Sequence, residues 1–164
     1  MAAPKRKAVP QAATTSAGRI PRKLASQGSN RHAADWLDAR PAWGLQIVDH
    51  EVTGDWSWTI GQPQLMEIMS FLAQMEKRTW AEIRRDMAGG NNRRDEKHKF
   101  IPVAHLCKEA RDRLEEIELD DQDRLFRFRL GNLKRLWGVI LPDDHMFYLL
   151  WWDENHKVCP SADR

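Results

Sequence analysis

The chain has 164 residues, 30% of them charged and 9% aromatic, which is one domain's worth of polar but globular sequence. No apolar run approaches the ~18 residues that a membrane-spanning helix needs. No apolar segment follows the first Lys/Arg cluster to form a secretory signal, and two cysteines are too few for a disulfide framework. A cytoplasmic protein with free thiols and no membrane partner is therefore expected. The formal net charge of +2 conceals a division. Residues 1–33 hold Lys5, Arg6, Lys7, Arg19, Arg22, Lys23 and Arg31 with no acidic residue. The remainder holds 19 basic residues against all 24 acidic ones, a net of −5. Attraction to nucleic acid inferred from the whole-chain charge would belong to the arm alone.

The first segment is rich in Ala, Ser, Pro, Lys and Arg. It offers little to bury, and residues 1–41 are expected to form a disordered basic arm. Pro4-Lys5-Arg6-Lys7 also fits a nuclear-import patch, and the lack of acids fits an organellar transit peptide. A solvated arm that adds nonspecific attraction to phosphate is the reading adopted.

Residues 42–164 are expected to form a single α+β domain, with order setting in near Trp36 or Trp43. Leu45, Ile47, Val52, Trp56, Trp58 and Ile60 lie in two short runs around Thr53-Gly54-Asp55, the pattern of a hairpin or bent strand with Trp56 and Trp58 on one face. Pro63 opens a helix over 63–76. Its stripe of Leu65, Ile68, Met69 and Leu72, widened by Met66, Phe71 and Met75, predicts burial on most sides. Thr79-Trp80-Ala81-Glu82 is a capping box for a second helix. That helix has Trp80, Ile83 and Met87 inside and is stopped by Gly89-Gly90. After a polar loop from Asn91 to Lys99, a third helix begins near Pro102 with a stripe of Val103, Cys107, Ala110, Leu114 and Ile117. Glu109–Arg113 and Arg111–Glu115 pair on its wet side.

Phe126, Phe128 and Leu130 alternate with Arg127 and Arg129, a half-buried strand. Gly131-Asn132 turns the chain, Leu136 to Leu141 is a second strand, and Pro142-Asp143-Asp144 is a second turn. Met146 to Trp152 is apolar without alternation and belongs at the centre of a sheet, covered on both faces. The expected order is an N-terminal strand or hairpin, three helices and a C-terminal antiparallel three-stranded meander, an α+β arrangement.

The meander holds the densest chemistry: Arg127 and Arg129 opposite the phenylalanines, Lys134 and Arg135 at the next strand's start, His145 before the last strand, and Asp153-Glu154-Asn155-His156-Lys157 after it. Arg, Lys and His without a carboxylate pair suit phosphodiester cleavage in RNA. There the 2′-hydroxyl loses a proton, the phosphorane's charge must be stabilised, and the 5′-oxygen gains a proton. His titrates near neutrality, and Arg presents paired donors to phosphate oxygens. The plainer reading is that the arginines are solvated residues on an outer strand face and that His156 is hydrogen-bonded locally. Asp153-x-x-His156 lacks a third metal ligand at a fitting spacing. A nuclease-like Pro142-Asp143 pattern carries Asn155 where an acid is required. No Gly-rich phosphate loop is present, so neither a metal nor a cofactor is expected. The basic stretch Arg93 to Lys99, with His98, reads as a solvated loop. The Met and Trp residues fall at helix or strand spacing and read as core.

Leu125-Phe126-Arg127-Phe128-Arg129-Leu130, Arg135-Leu136-Trp137-Gly138-Val139, Phe147-Tyr148-Leu149-Leu150-Trp151-Trp152-Asp153 and His156-Lys157-Val158-Cys159-Pro160 together resemble a family of short bacterial proteins with no assigned activity. More distantly, the order of strand, helices and basic meander resembles the RelE/ParE toxin superfamily, some of whose members cleave translated mRNA at the ribosome without a metal while others inhibit gyrase. That resemblance implies a toxin-like ribonuclease of a toxin–antitoxin system, with RNA or the ribosome and a cognate antitoxin as partners. Arg127, Arg129 and Arg135 would occupy the basic strand positions, and His156 or Lys157 the terminal acid/base position. The chain departs from the superfamily in its third helix, its more aromatic last strand and its net acidic folded part. The alternative is a noncatalytic protein- or nucleic-acid-binding module of phage or mobile-element origin, using exposed Trp151 and Trp152 as a platform.

Overall fold

Five strands form one mixed sheet in the order β1-β5-β4-β3-β2 in the computed structural model, which describes residues 35–89, 95–141 and 145–160. They are β1 (Ala42–Gly44), β2 (Lys99–Pro102), β3 (Arg124–Leu130), β4 (Lys134–Leu141) and β5 (Met146–Asp153). Three helices accompany them: α1 (Gln62–Met75), α2 (Trp80–Arg84) and α3 (Lys108–Glu116), with 3-10 turns at Asp35–Asp38 and Val103–His105. The predicted meander is present as the antiparallel ladders β3–β4 and β4–β5. The sheet is wider than the expected three strands, because β2 pairs antiparallel with β3 and β1 pairs parallel with β5. Both additions are three or four residues long, too short for a readable alternation, and β2 ends in a proline.

The sheet separates two cores. On one face Ile68 and Met75 of α1 and Trp80 and Ile83 of α2 meet Phe126, Phe128, Leu136, Phe147 and Trp152. On the other, Ala110 and Leu114 of α3 meet Leu125, Trp137, Val139, Leu150 and Trp151. β5 lies between β1 and β4 with both faces covered, as its unbroken apolar run requires. Trp80, Trp137, Trp151 and Trp152 are among the largest fully buried side chains, each stabilising the fold by roughly 1.5–3 kcal/mol of apolar burial. Burial of Trp151 and Trp152 removes the exposed aromatic platform that the binding-module alternative invoked. The aromatics fill the sheet's two covered faces and leave no open one.

Local signals place the helices with some corrections. The Thr79 hydroxyl accepts from the Glu82 N–H, and the Glu82 carboxylate accepts from the Thr79 N–H, so the capping box starts α2 as read. The helix ends at Arg84, however, before Gly89. Met87 instead bridges to Glu96 and stands exposed. The stripe of α1 is buried only toward the sheet, and Leu65, Met66 and Met69 are 45%, 52% and 55% exposed, because no described element packs over that side. The third helix starts at Lys108, after the 3-10 turn, rather than at Pro102. Its apolar stripe faces the core as predicted. Arg113, assigned to a surface pair with Glu109, instead donates through Nε and Nη2 to the two oxygens of buried Asp49 at 2.9 and 2.7 Å.

Residues 45–61 contain no strand. The segment follows the β5 edge, with the Asp49 N–H and the Trp58 indole N–H both donating to the Leu150 carbonyl, at 3.2 and 2.8 Å. Without a ladder there is no pleat to impose alternation. Trp56 and Trp58 therefore join opposite cores instead of sharing a face. The residues up to 34, residues 90–94 with the expected Gly90 helix stop, the Pro142-Asp143-Asp144 segment of the expected turn, and 161–164 lie outside the described residues.

Candidate functional site

Strand register assembles the site. Arg129 lies opposite Arg135 across β3–β4, and Arg135 lies opposite Asp153 across β4–β5. One row further along, Lys99, Arg127, Trp137 and Trp151 are successive cross-strand partners. Directly opposed side chains have Cβ atoms about 4.5–5.5 Å apart, and residues two apart on a strand share a face. Arg127, Arg129 and Arg135 therefore converge on the α3 face of the sheet, with Lys99 and Asp153 at the margins.

The turn after β5 closes over them. Asp153 is fully buried, and its carboxylate accepts from the Lys157 N–H at 2.8 Å, the Val158 N–H at 3.0 Å and the Trp137 indole N–H at 3.3 Å. These contacts hold residues 154–156 in a tight turn, in which His156 takes a left-handed backbone with φ of 57°. That conformation is uncommon outside glycine, and strain of this kind clusters at functional sites. Val158 returns into the α3 core and its carbonyl accepts from the Cys107 N–H at 2.8 Å, locking the turn to the start of α3.

The expected half-buried β3 strand is covered on both faces, and its arginines are not simply solvated. Arg127 is 8% exposed and Arg135 is 4% exposed. The Nε atoms of Arg127 and Arg135 and the Nε2 atom of His156 are buried without a hydrogen-bond partner. Arg135 directs Nη1 to the Lys134 carbonyl at 2.9 Å, and the half-buried Arg129 directs Nε to the Gly131 carbonyl at 3.0 Å. The latter carbonyl is presented by a turn in which Gly131 has φ of 77°. A buried polar group without a partner is costly, and two arginine Nε donors beside an imidazole nitrogen that donates or accepts according to its tautomer form an arrangement suited to an anion.

The charges act on one another. Burial, then the positive fields of Arg135, Arg127 and Arg129, pushes His156 down to about 4, so it is neutral at pH 7. Burial, then Arg127 and Arg129, pushes Arg135 down to about 10. Burial lowers Arg127 as well. Burial raises Asp153 above the usual carboxylate value, against the opposing pull of its N–H donors and Arg135. Burial also raises the thiol of Cys159, which lies near Arg127 and Lys99.

Other residues singled out from the sequence fall elsewhere. Lys157 contributes its backbone N–H to the Asp153 turn, and its side chain is exposed. Lys134 pairs with Glu67 of α1 at 2.6 Å, on the other side of the sheet. His145 precedes β5, at the opposite end of that strand from Asp153. His98, read as part of a solvated loop, is fully buried against Phe71 and Phe128. Its Nδ1 accepts from the Arg129 N–H at 3.1 Å, supporting the backbone beneath the cluster. Sequence reasoning missed the turn-holding role of Asp153, the place of Lys99 and this use of His98. The third depends on a long-range contact and the second on the short strand β2, whereas the Asp153 contacts to Lys157 and Val158 are four and five residues away and a side-chain-to-backbone turn could have been read from the acid at the strand's end. Among the described residues no group of three His, Cys, Asp or Glu is placed to hold a metal ion.

Fold and site together define an α+β domain with a two-faced mixed sheet and, on the α3 face, a buried arginine cluster capped by a histidine turn. Comparison with profiles of known protein families, with curated protein sequences and with solved structures gives no match. No helix of the described residues is long and apolar enough to cross a membrane.

Proposed function

We propose that the chain is a toxin-like, metal-independent ribonuclease domain of a toxin–antitoxin type system, resembling the RelE/ParE superfamily in its basic meander. In this reading Arg127, Arg129 and Arg135 hold the phosphate and His156 moves the proton. The observation that supports it is the convergence of the unpartnered Nε atoms of Arg127 and Arg135 with the unpartnered Nε2 of His156. Neutral His156 accepts the proton of the 2′-hydroxyl, and the 2′-oxygen attacks phosphorus. The bond from phosphorus to the 5′-oxygen breaks, and that oxygen takes a proton from the imidazolium, leaving a 2′,3′-cyclic phosphate and a 5′-hydroxyl. A base held at about 4 by burial and then by the neighbouring arginines is weak in the free protein. A bound phosphate offsets the positive field and raises it, so base strength is coupled to substrate entry.

A second reading keeps the anion site without the chemistry. Burial of Arg127 and Arg135 favours capture of a compact anionic group over tracking along a backbone, which would make the chain a noncatalytic nucleic-acid- or protein-binding module. Induction of the full chain in a bacterial host, with translation followed by radiolabel incorporation, separates the two. Ribonuclease action predicts a rapid fall in translation that a His156→Ala, Arg129→Ala double variant does not cause. Unchanged growth, together with intact RNA after incubation with the purified chain, would leave the noncatalytic reading.

A further inference from the structure

We infer that the cluster is charge-matched to a dianionic phosphoryl group, so that the chain binds nucleic-acid ends carrying a terminal phosphate more tightly than internal phosphodiester linkages. The inference rests on the reading that this cluster receives phosphate, and it does not require that the chain cleave anything.

Formal charge, strand register and burial carry it. The groups that face one another here are Lys99 and Asp95, which pair at 2.7 Å, the three arginines, and Asp153, with the thiol of Cys159 and the imidazole of His156 uncharged at neutral pH. Lys99 and Asp95 offset each other. Asp153 offsets one arginine although it forms no ion pair with Arg135, its oxygens being taken up by Lys157, Val158 and Trp137. Two positive charges remain in a largely buried site.

An internal phosphodiester carries one negative charge and two non-bridging oxygens. It leaves one positive charge uncompensated beside the unpartnered Arg127 Nε and Arg135 Nε. A terminal phosphomonoester carries close to two negative charges above its second pKa near 6, spread over three terminal oxygens, and so matches the two charges of the site. The phosphorane formed during phosphodiester cleavage is likewise dianionic. A site tuned to two charges would bind that species better than the ground-state diester, which is the condition for catalysis.

The test is calorimetric titration of the full chain at pH 7.5 with a deoxythymidine tetranucleotide bearing a 3′-phosphate and with the same tetranucleotide ending in a 3′-hydroxyl. DNA is used because it lacks the 2′-hydroxyl and cannot be cleaved by the proposed route. The phosphorylated strand is expected to bind about tenfold more tightly, as an added charge-assisted hydrogen bond would give, and inorganic phosphate should compete with it. The advantage should shrink as pH falls from 7.5 to 5.5 and the monoester takes up its second proton. Protonation of His156 would act in the opposite sense, strengthening anion binding, so the two origins are separable by direction. Arg135→Met should abolish the difference between the strands. Arg129→Gln, at the half-exposed rim, should reduce it and serves if the buried substitution prevents folding. Equal binding of both strands would overturn the inference while leaving a general phosphate site standing. Binding of neither strand, nor of phosphate, would remove the inference and the proposed site together.

Discussion

Arg135 and Asp153 are direct cross-strand partners in the β4–β5 ladder, yet their charged groups form no ion pair. Asp153 accepts instead from the Lys157 and Val158 N–H groups and the Trp137 indole, and the Arg135 Nε is left without a partner. The carboxylate organises the turn that carries His156, and the guanidinium beside it bonds the Lys134 carbonyl through Nη1 while its Nε has no partner.

Asp153→Ala should therefore destabilise the fold through three stranded donors, by about 2–4 kcal/mol given the usual cost of unsatisfied buried groups. Asp153→Asn keeps one acceptor oxygen and should cost less. Urea unfolding of both variants reads the difference. Equal, small losses would show that the turn does not depend on the carboxylate.

Asp49 has two partners besides its bidentate contact with Arg113 of α3: the Trp151 indole at 2.9 Å and the Val52 N–H at 3.3 Å. Burial would raise its pKa, but Arg113 and Trp151 outweigh that and hold it below the ordinary value. Arg113→Met leaves a buried carboxylate unpaired and should cost about 3–5 kcal/mol. Arg113→Met combined with Asp49→Leu should cost less than Arg113→Met alone. Additive losses in a double-mutant cycle would contradict a coupled pair.

Gly138 sits at the register shift in β4. A Cβ there would come within 2.1 Å of the Tyr148 carbonyl oxygen and 2.6 Å of the Phe147 ring. Backbone cannot swing aside as a flexible side chain can, so Gly138→Ala should cost at least about 3 kcal/mol, the upper range of overpacking. Thermal unfolding by circular dichroism measures it. A Tm within a few degrees of the parent would mean that the ladder shifts freely at this point.

Stability should fall as pH is lowered from 6.5. His98 is pushed down to about 3 by burial and then by the charge of Lys97, against the pull of Asp86, and His156 to about 4. Between those values and 6.5 the unfolded chain binds protons that the folded chain does not, so stability rises with pH across that window and is fully present above 6.5. Asp49 and Asp86, both held below the ordinary carboxylate value, add a further loss at lower pH. His98→Gln should flatten the slope between pH 6.5 and 4 in urea titrations. An unchanged slope would place the acid sensitivity elsewhere.

The sequence by itself determined the elements whose signals are local. Thr79 and Glu82 start α2, Gly131 turns β3 into β4, and the alternation of Phe126 and Phe128 with Arg127 and Arg129 assigns each to a sheet face. Adjacent residues make those contacts, so spacing alone reports them. It also singled out Arg127, Arg129, Arg135 and His156 as candidates for chemistry. Only the tertiary structure decided that they meet. Convergence depends on the β3–β4–β5 register and on the turn that Asp153 holds, contacts set by exact pairing and side-chain direction, which leave no periodic trace. Burial was decided the same way: the alternation that placed Arg127 on a face could not say that α3 and the return of Val158 would cover it.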